Sequence, residues 1–242
     1  MRYKCTCSYD GSLFHGFQVQ GNLRTVQSEI ELVLKEILKK ETTIFASGRT
    51  DALVHAIGQV FHFDSDIIMT GSQMKKAINS MLPKDIYVKD VEVVNEKFHS
   101  RFSAISKEYH YVISLEEYNP LKRNYVCHPL YKNIDYKKME EASNVFVGEH
   151  DFKSFCKPGK NENTIRNIEL IDFCYGNNQL VIKIIGNGFL HNMVRIIVGM
   201  LFEVGKGKID IDYLESALEK KDRKYCTKVA PAEGLYLYKV NY

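Results

Sequence analysis

The stretch TVQSEIELVLKEILKK (residues 25–40) decides the fold class. Val26, Ile30, Val33, Leu34, Ile37 and Leu38 recur at helical spacing, so a helix wound through them carries one apolar face. Lys39 and Lys40 close it at the negative end of the helix dipole. Upstream, residues 3–9 alternate like a half-buried strand until Asp10-Gly11 breaks the pattern. Downstream, QVFHFD (59–64) reads as another strand. Strand, helix and strand in succession predict a layered fold that mixes both element types.

Farther along, the pattern predicts a helix over 72–82, stopped by Pro83, and strands over 86–94 and 107–114. The alternation resumes at Asp135 with a helix carrying Met139, Ala142, Val145 and Phe146 on one face, then strands over 168–175 and 179–185. A further helix begins near His191 and carries Met193, Val194, Ile197, Val198, Leu201 and Phe202. Another spans 213–220 behind Asp212 as candidate N-cap, and 234–240 is a closing strand. Two comparable mixtures of helix and strand predict two α+β halves, residues 1–115 and 130–242. Residues 116–129 connect them, punctuated by Asn119-Pro120 and Pro129. Neither GxGxxG nor GxxxxGK(S/T) follows a strand, which argues against a doubly wound nucleotide-binding sheet.

With 45% hydrophobic and 26% charged residues, the 242-residue chain has ordinary globular composition. The N-terminal MRYKCTCSYDG lacks the apolar core of a secretion signal. The longest apolar run, residues 196–202, is far shorter than the roughly 20 residues of a membrane span, so a cytoplasmic protein is expected. Six cysteines are scattered. Cys5 and Cys7 form a C-x-C on one strand face and no pair has zinc-site spacing, so free thiols and no metal are expected. The net charge of +3 says little. Residues 97–138 and 153–208, however, each hold eight Lys/Arg against four Asp/Glu, a surplus that suits a phosphate-rich partner when it lies on one face.

GRTDALVHA (48–56) gathers Arg49, Thr50, Asp51 and His55 between the first helix and the strand at Gln59. As bare sequence it reads as a connecting loop with a capping Thr50 or Asp51, or as a loop presenting polar groups to a ligand. A hydrolase built on Asp51 and His55 lacks a GxSxG elbow to supply its nucleophile. Arg195 is a lone cation in the apolar MVRIIVGMLF, either on an exposed helix face or partnered by a buried carboxylate. Tyr109, in Tyr109-His110-Tyr111, reads by itself as a strand residue.

GRTDALVHA resembles GRTDAGVHA, the signature of the tRNA pseudouridine synthase A (TruA) family, and further segments resemble that family in the same order. These are SYDGSLFHGFQVQ (8–20), TVQSEIE (25–31), NSMLPKDI (79–86), FHSRFSAISKEYHY (98–111), GEHDFKSF (148–155), IRNI (165–168), GNGFLHNMVRIIVG (186–199) and AEGLYL (232–237). The resemblance implies an isomerase that detaches uracil from its ribose, rotates it and rejoins it through C5, with neither metal nor organic cofactor. It implies a fold of two ferredoxin-like halves sharing a continuous, mostly antiparallel sheet, with helices packed on it and a central basic cleft. The implied partner is tRNA, modified in its anticodon stem-loop at positions 38, 39 and 40, and the implied assembly is a homodimer.

Residue by residue, Asp51 matches the family's catalytic carboxylate, which either attacks carbon or moves a proton at the ribose C2′. Arg195 matches the basic residue paired with it. Tyr109 matches the ring that stacks on the target base, with a hydroxyl available for proton transfer at C5. Arg49 matches the position that holds a phosphate or the flipped nucleotide. In the same arrangement His55 is structural or RNA-contacting, while Asp10, His15 and Gln18 of the first loop and the 157–164 loop line the RNA path.

Three departures stand out. Leu53 occupies a position where the family usually has glycine, which tolerates positive φ. Phe17 replaces a tryptophan, and Glu108 and His110 stand where arginines are common. They motivate one alternative, a paralogue that modifies ribosomal RNA. A rival of another class, a catalytically inactive RNA-binding or chaperone protein, has the intact Asp51, Tyr109 and Arg195 against it.

Overall fold

Alternation over the first residues is realised as strand β1 (Arg2–Tyr9) in the computed structural model, which describes residues 1–129, 133–159 and 163–242. Tyr3, Cys5, Cys7 and Tyr9 are buried and the intervening residues are half-buried. β1 pairs antiparallel with β3 (His55–Asp64) on one side and β4 (Ile86–Val94) on the other. The opposite edge of β3 is shared: β2 (Phe45–Ala46) pairs antiparallel where Phe45 meets His62, and β9 (Leu235–Asn241) pairs parallel where His55 meets Tyr236.

Helix α1 (Val26–Leu38) starts where the periodicity places it, because Thr25 and Ser28 form a reciprocal capping box. Helix α2 (Gly71–Met81) repeats the device with Thr70 and Gln73 and ends just before Leu82-Pro83. Ile30 and Leu34 of α1 and Met74 and Ile78 of α2 are fully buried, as are Tyr3 and Phe61 of the strands. Each such side chain contributes on the order of 1.5–3 kcal/mol by burial. Residues Met1–Ile105 and Tyr236–Tyr242 make up this first compact unit.

The second unit, Ser106–Leu235, contains the strand order β5-β8-β7-β6, antiparallel throughout the pairings of β5 (Ser106–Ser114), β6 (Gly148–Asp151), β7 (Ile165–Gly176) and β8 (Gln179–Gly186). Asn177 and Asn178, both at positive φ (50° and 56°), form the two-residue turn of the β7–β8 hairpin. Helices α3 (Tyr136–Ser143), α4 (Met193–Gly205) and α5 (Ile211–Lys220) complete it. Every residue of α4 except Arg195 is buried.

The chain is therefore α+β with mostly antiparallel pairing, as the sequence predicts. The first unit runs to Ile105, β5 pairs along its length with β8 in the second, and the last seven residues return to the first unit. The 116–129 segment folds back on β5: Cys127 N–H donates to Val112 O at 2.9 Å and Ser114 N–H to Cys127 O at 2.8 Å. The N-cap of α5 is Asp210, not Asp212. Asp210 is extended and accepts from Tyr213 N–H at 2.9 Å, which leaves Asp212 in the first turn. All six cysteines are free, five of them buried. Among the described residues no helix is long and apolar enough to cross a membrane, and no group of three His, Cys, Asp or Glu is placed to hold a metal.

Candidate active site

In the first unit two loops brace each other. Residues 10–17 leave β1 through a turn in which Asp10 Oδ1 accepts from Ser12 N–H at 2.9 Å. They then pass directly over the 48–54 segment. Phe17 N–H donates to Thr50 O at 3.1 Å and Leu53 N–H to Phe14 O at 3.4 Å. The approach is too close for side chains at two points. A Cβ on Gly11 would lie 2.1 Å from Val54 O, and one on Gly16, at φ 92°, would lie 2.8 Å from Thr50 O. Beneath them Tyr9 Oη and Thr50 Oγ1 share a buried hydrogen bond of 2.7 Å.

Asp51 therefore sits half-buried between two fixed neighbours, the buried Thr50 and a turn closed by Val54 N–H donating to Asp51 O at 3.2 Å. Leu53, inside that turn, has φ 67°. The left-handed conformation that glycine adopts freely is thus kept with leucine, at a cost of about 1–2 kcal/mol. Its side chain is 45% exposed. Arg49, two residues before Asp51, is exposed.

His55 is only 2% exposed. Its Nδ1 accepts Gly11 N–H at 3.0 Å, with Asp10 Oδ1 3.4 Å away, and its ring stacks on Tyr236 at 4.7 Å between centroids. An acceptor Nδ1 assigns the proton of the neutral ring to Nε2. His55 thus ties the first loop to the end of the 48–54 segment. Gln18 is half-buried and His15 exposed on the same first loop. That loop is anchored at its far end by Arg24. The Arg24 guanidinium bonds both oxygens of Asp85 (2.7 and 3.0 Å) and Glu29 (2.8 Å), and lies 4.2 Å from the Phe14 ring centroid. These carboxylates hold Arg24 above its ordinary pKa, the Asp85 hydrogen bond most of all.

In the second unit Tyr109 is buried on β5, opposite Ile184 of β8, with its ring edge-to-face against Phe189 at 5.1 Å. Arg195 occupies the first turn of α4 and is half-buried. Its Nε donates to Ala230 O at 2.8 Å, its Nη1 to Asn192 Oδ1 at 3.3 Å, and its own carbonyl accepts from Ala230 N–H at 2.8 Å. The 230–231 segment is fixed again where Tyr111 Oη donates to Pro231 O at 3.0 Å. Burial pushes the Tyr111 phenol well above its ordinary pKa, so it remains a donor. Glu108 and His110, the two departures beside Tyr109, bond each other at 2.7 Å, and Lys183 lies 3.5 Å from Glu108. Of the 157–164 loop, residues 160–162 lie outside the described residues.

Sequence reasoning missed the bracing itself. Gly11 is visible in sequence as part of the Asp10-Gly11 break and Gly16 carries no such signal, and nothing local reveals which distant backbone a glycine approaches. Thr50, in sequence a capping candidate together with Asp51, is the buried partner of Tyr9.

The profile of one protein family, described as tRNA pseudouridine synthase, matches residues 6–103 and 142–242. The chain is 48% identical over 244 residues to the tRNA pseudouridine synthase A of a Geobacillus species, covering all of this chain and 98% of that protein. It is 44% identical over 246 residues to the protein of the same name from Bacillus subtilis, covering all of this chain and 99% of that one. Among solved structures, a chain in a crystal structure of a Cbf5-Nop10-Gar1 complex is similar at a TM-score of 0.36 and 11% identity, over 90% of this chain and 68% of that chain.

Proposed function

The chain belongs to the tRNA pseudouridine synthase family, and we propose that it isomerises uridines of the tRNA anticodon stem-loop, at positions 38, 39 and 40, with Asp51 as the catalytic carboxylate. The observation that carries this reading is the Asp51 turn. A half-buried carboxylate stands on a segment whose backbone is locked from both sides, while the exposed Arg49 lies two residues away. Glycosidic-bond cleavage needs a carboxylate held in place at the sugar, and a rigid support supplies positioning worth orders of magnitude in rate.

In this reading Arg195 is the basic residue that serves the catalytic carboxylate, the role the resemblance gives it. The hydrogen bonds to Ala230 and Asn192 fix the guanidinium for that task. Tyr109 provides the ring on which the flipped uracil stacks, and Phe189 orients that ring. Arg49 holds a phosphate or the flipped nucleotide, and Asp10 and Gln18 line the RNA path. His55 acts by holding the two loops together. Each unit is read as a ferredoxin-like half, and the order β4-β1-β3 with intervening helices supports that description of the first. The assembly is a cytoplasmic homodimer.

The ribosomal RNA alternative leaned on Leu53, and its weight is reduced because Leu53 keeps the left-handed turn. Mapping pseudouridine in RNA from cells lacking the gene tests the assignment. Loss confined to anticodon-arm uridines of tRNA is expected, and unaltered anticodon arms would refute it.

A further inference from the structure

Strand β3 of the first unit leads from the Asp51 turn to two features that the proposed reaction leaves unused. The first is a cavity of about 320 Å³ whose lining includes Lys4, Lys89, Tyr238, Lys239 and Tyr242. Lys89 is the extra residue of a bulge, since Thr6 faces Asp90 while Cys7 faces Val88, and bulges re-aim side chains. Its ammonium rests 3.1 Å from Ile57 O. Lys4 is already paired with Glu92 at 3.1 Å, so the cationic surplus of the cavity comes from Lys89 and Lys239.

The second feature is a belt of flat rings that begins at the cavity wall. Lys4 lies 5.0 Å from the Tyr242 ring centroid, Tyr242 packs on Phe98 at 5.0 Å, and Phe98 on His62 at 6.1 Å. His62 stacks on Phe45 at 5.2 Å and meets His99 at 4.7 Å, and His99 packs on Phe102 at 4.4 Å. Two rings of the belt face water: Phe102 is 77% exposed and Phe45 50%. The Arg101 guanidinium lies 5.7 Å from the Phe102 ring centroid. Burial, with the Arg2 cation, lowers the pKa of both His62 and His99, which favours their uncharged rings.

Exposed apolar surface of this kind marks a binding site. Its composition, planar rings beside cations and next to a lysine-lined cavity, matches what single-stranded nucleic acid requires: π-faces for bases and ammonium groups for phosphates. A protein-docking patch has no need of the basic cavity. From His55 to His62 β3 advances seven residues (62 − 55), roughly 23 Å at about 3.3 Å per residue. That equals about seven stacked nucleotide steps of ~3.4 Å.

We propose that this face of the first unit is a second RNA track, in which Phe45, His99 and Phe102 stack unpaired bases and Lys89 and Lys239 hold phosphates of the same strand. It rests on the reading of RNA as substrate and extends the contact beyond the reacting uridine. The test measures affinity for a fluorescein-labelled oligouridine and KM for a C5-tritiated tRNA transcript. Phe102→Leu keeps apolar bulk but loses the flat face, and weakens oligouridine binding and raises KM about fivefold; Phe102→Tyr restores both. Lys89→Gln with Lys239→Gln lowers the slope of log affinity against log salt by about 1.4, two phosphate contacts at ~0.7 each. Phe102 is largely exposed, so its variants melt as the wild type does, and the lysine pair reads the same track independently.

Wild-type affinity, KM and salt slope in all these variants would overturn the proposal. So would a Phe102→Leu protein that differs only in self-association by sedimentation, which would make the belt a protein interface. A wild-type chain that binds oligouridine yet releases no tritium would refute the enzymatic reading instead, so the two failures are distinguishable.

Discussion

Gly11→Ala tests whether the two loops brace each other. The added methyl would lie 2.1 Å from Val54 O, and ordinary contact requires about 3.4 Å, so the first loop and the catalytic segment must separate by roughly 1 Å. That movement stretches the 3.0 Å bond from Gly11 N–H to His55 Nδ1, worth about 0.5–1.5 kcal/mol, and adds overpacking of about 1–3 kcal/mol. Lower unfolded-chain entropy returns some 0.4–1 kcal/mol. The net loss is about 0.5–4 kcal/mol, which lowers Tm by roughly 1–16 °C in a chain of this size. A displacement of 1 Å at the support of a reacting group costs on the order of 10²-fold in rate. Single-turnover tritium release from C5-labelled uridine in tRNA reads the rate, and thermal unfolding the stability. Wild-type rate and Tm together would refute the bracing of Asp51 by the first loop.

Three further outcomes follow from the same geometry. Thr50→Val leaves the buried Tyr9 hydroxyl without the 2.7 Å partner and destabilises the chain by about 1–3 kcal/mol in urea unfolding; an unchanged midpoint would show that the bond is dispensable. His62 is pushed down from 6.5 to about 4, chiefly by burial, so the unfolded chain takes up its proton first, and stability contributed by neutral His62 is lost as pH falls from about 6.5 to about 4. His62→Asn flattens that part of the stability–pH curve, and an identical slope in wild type and variant would contradict the assignment. Arg195→Leu removes the bonds to Ala230 O and Asn192 Oδ1 and lowers both Tm and turnover, whereas an unaltered enzyme would show that this guanidinium serves neither.

The elements were legible wherever a short-range pattern encoded them. Residues 25–40 carried both the apolar face and the cap of α1, and the alternation of 3–9 carried β1. What escaped depends on partners distant in sequence. β2 is two residues long and exists because Phe45 meets His62. β9 belongs with the first unit because Tyr236 meets His55. The same holds at the site. Asp51 stands out in sequence only through its motif, and Leu53 shows that glycine at that position signals a conformation and not an identity, since the left-handed turn persists with leucine. His55 reads from sequence as structural or RNA-contacting, and its depth and its bond to Gly11 N–H are visible only in three dimensions.

The central claim is that Asp51 carries the chemistry. Asp51→Asn keeps size and shape while removing the charge and the basic oxygen. The deciding measurement is single-turnover release of tritium from C5-labelled uridine in a tRNA transcript, with RNA binding measured on the same protein. Release that falls to background while binding is retained is the predicted result. Release at the wild-type rate would contradict it.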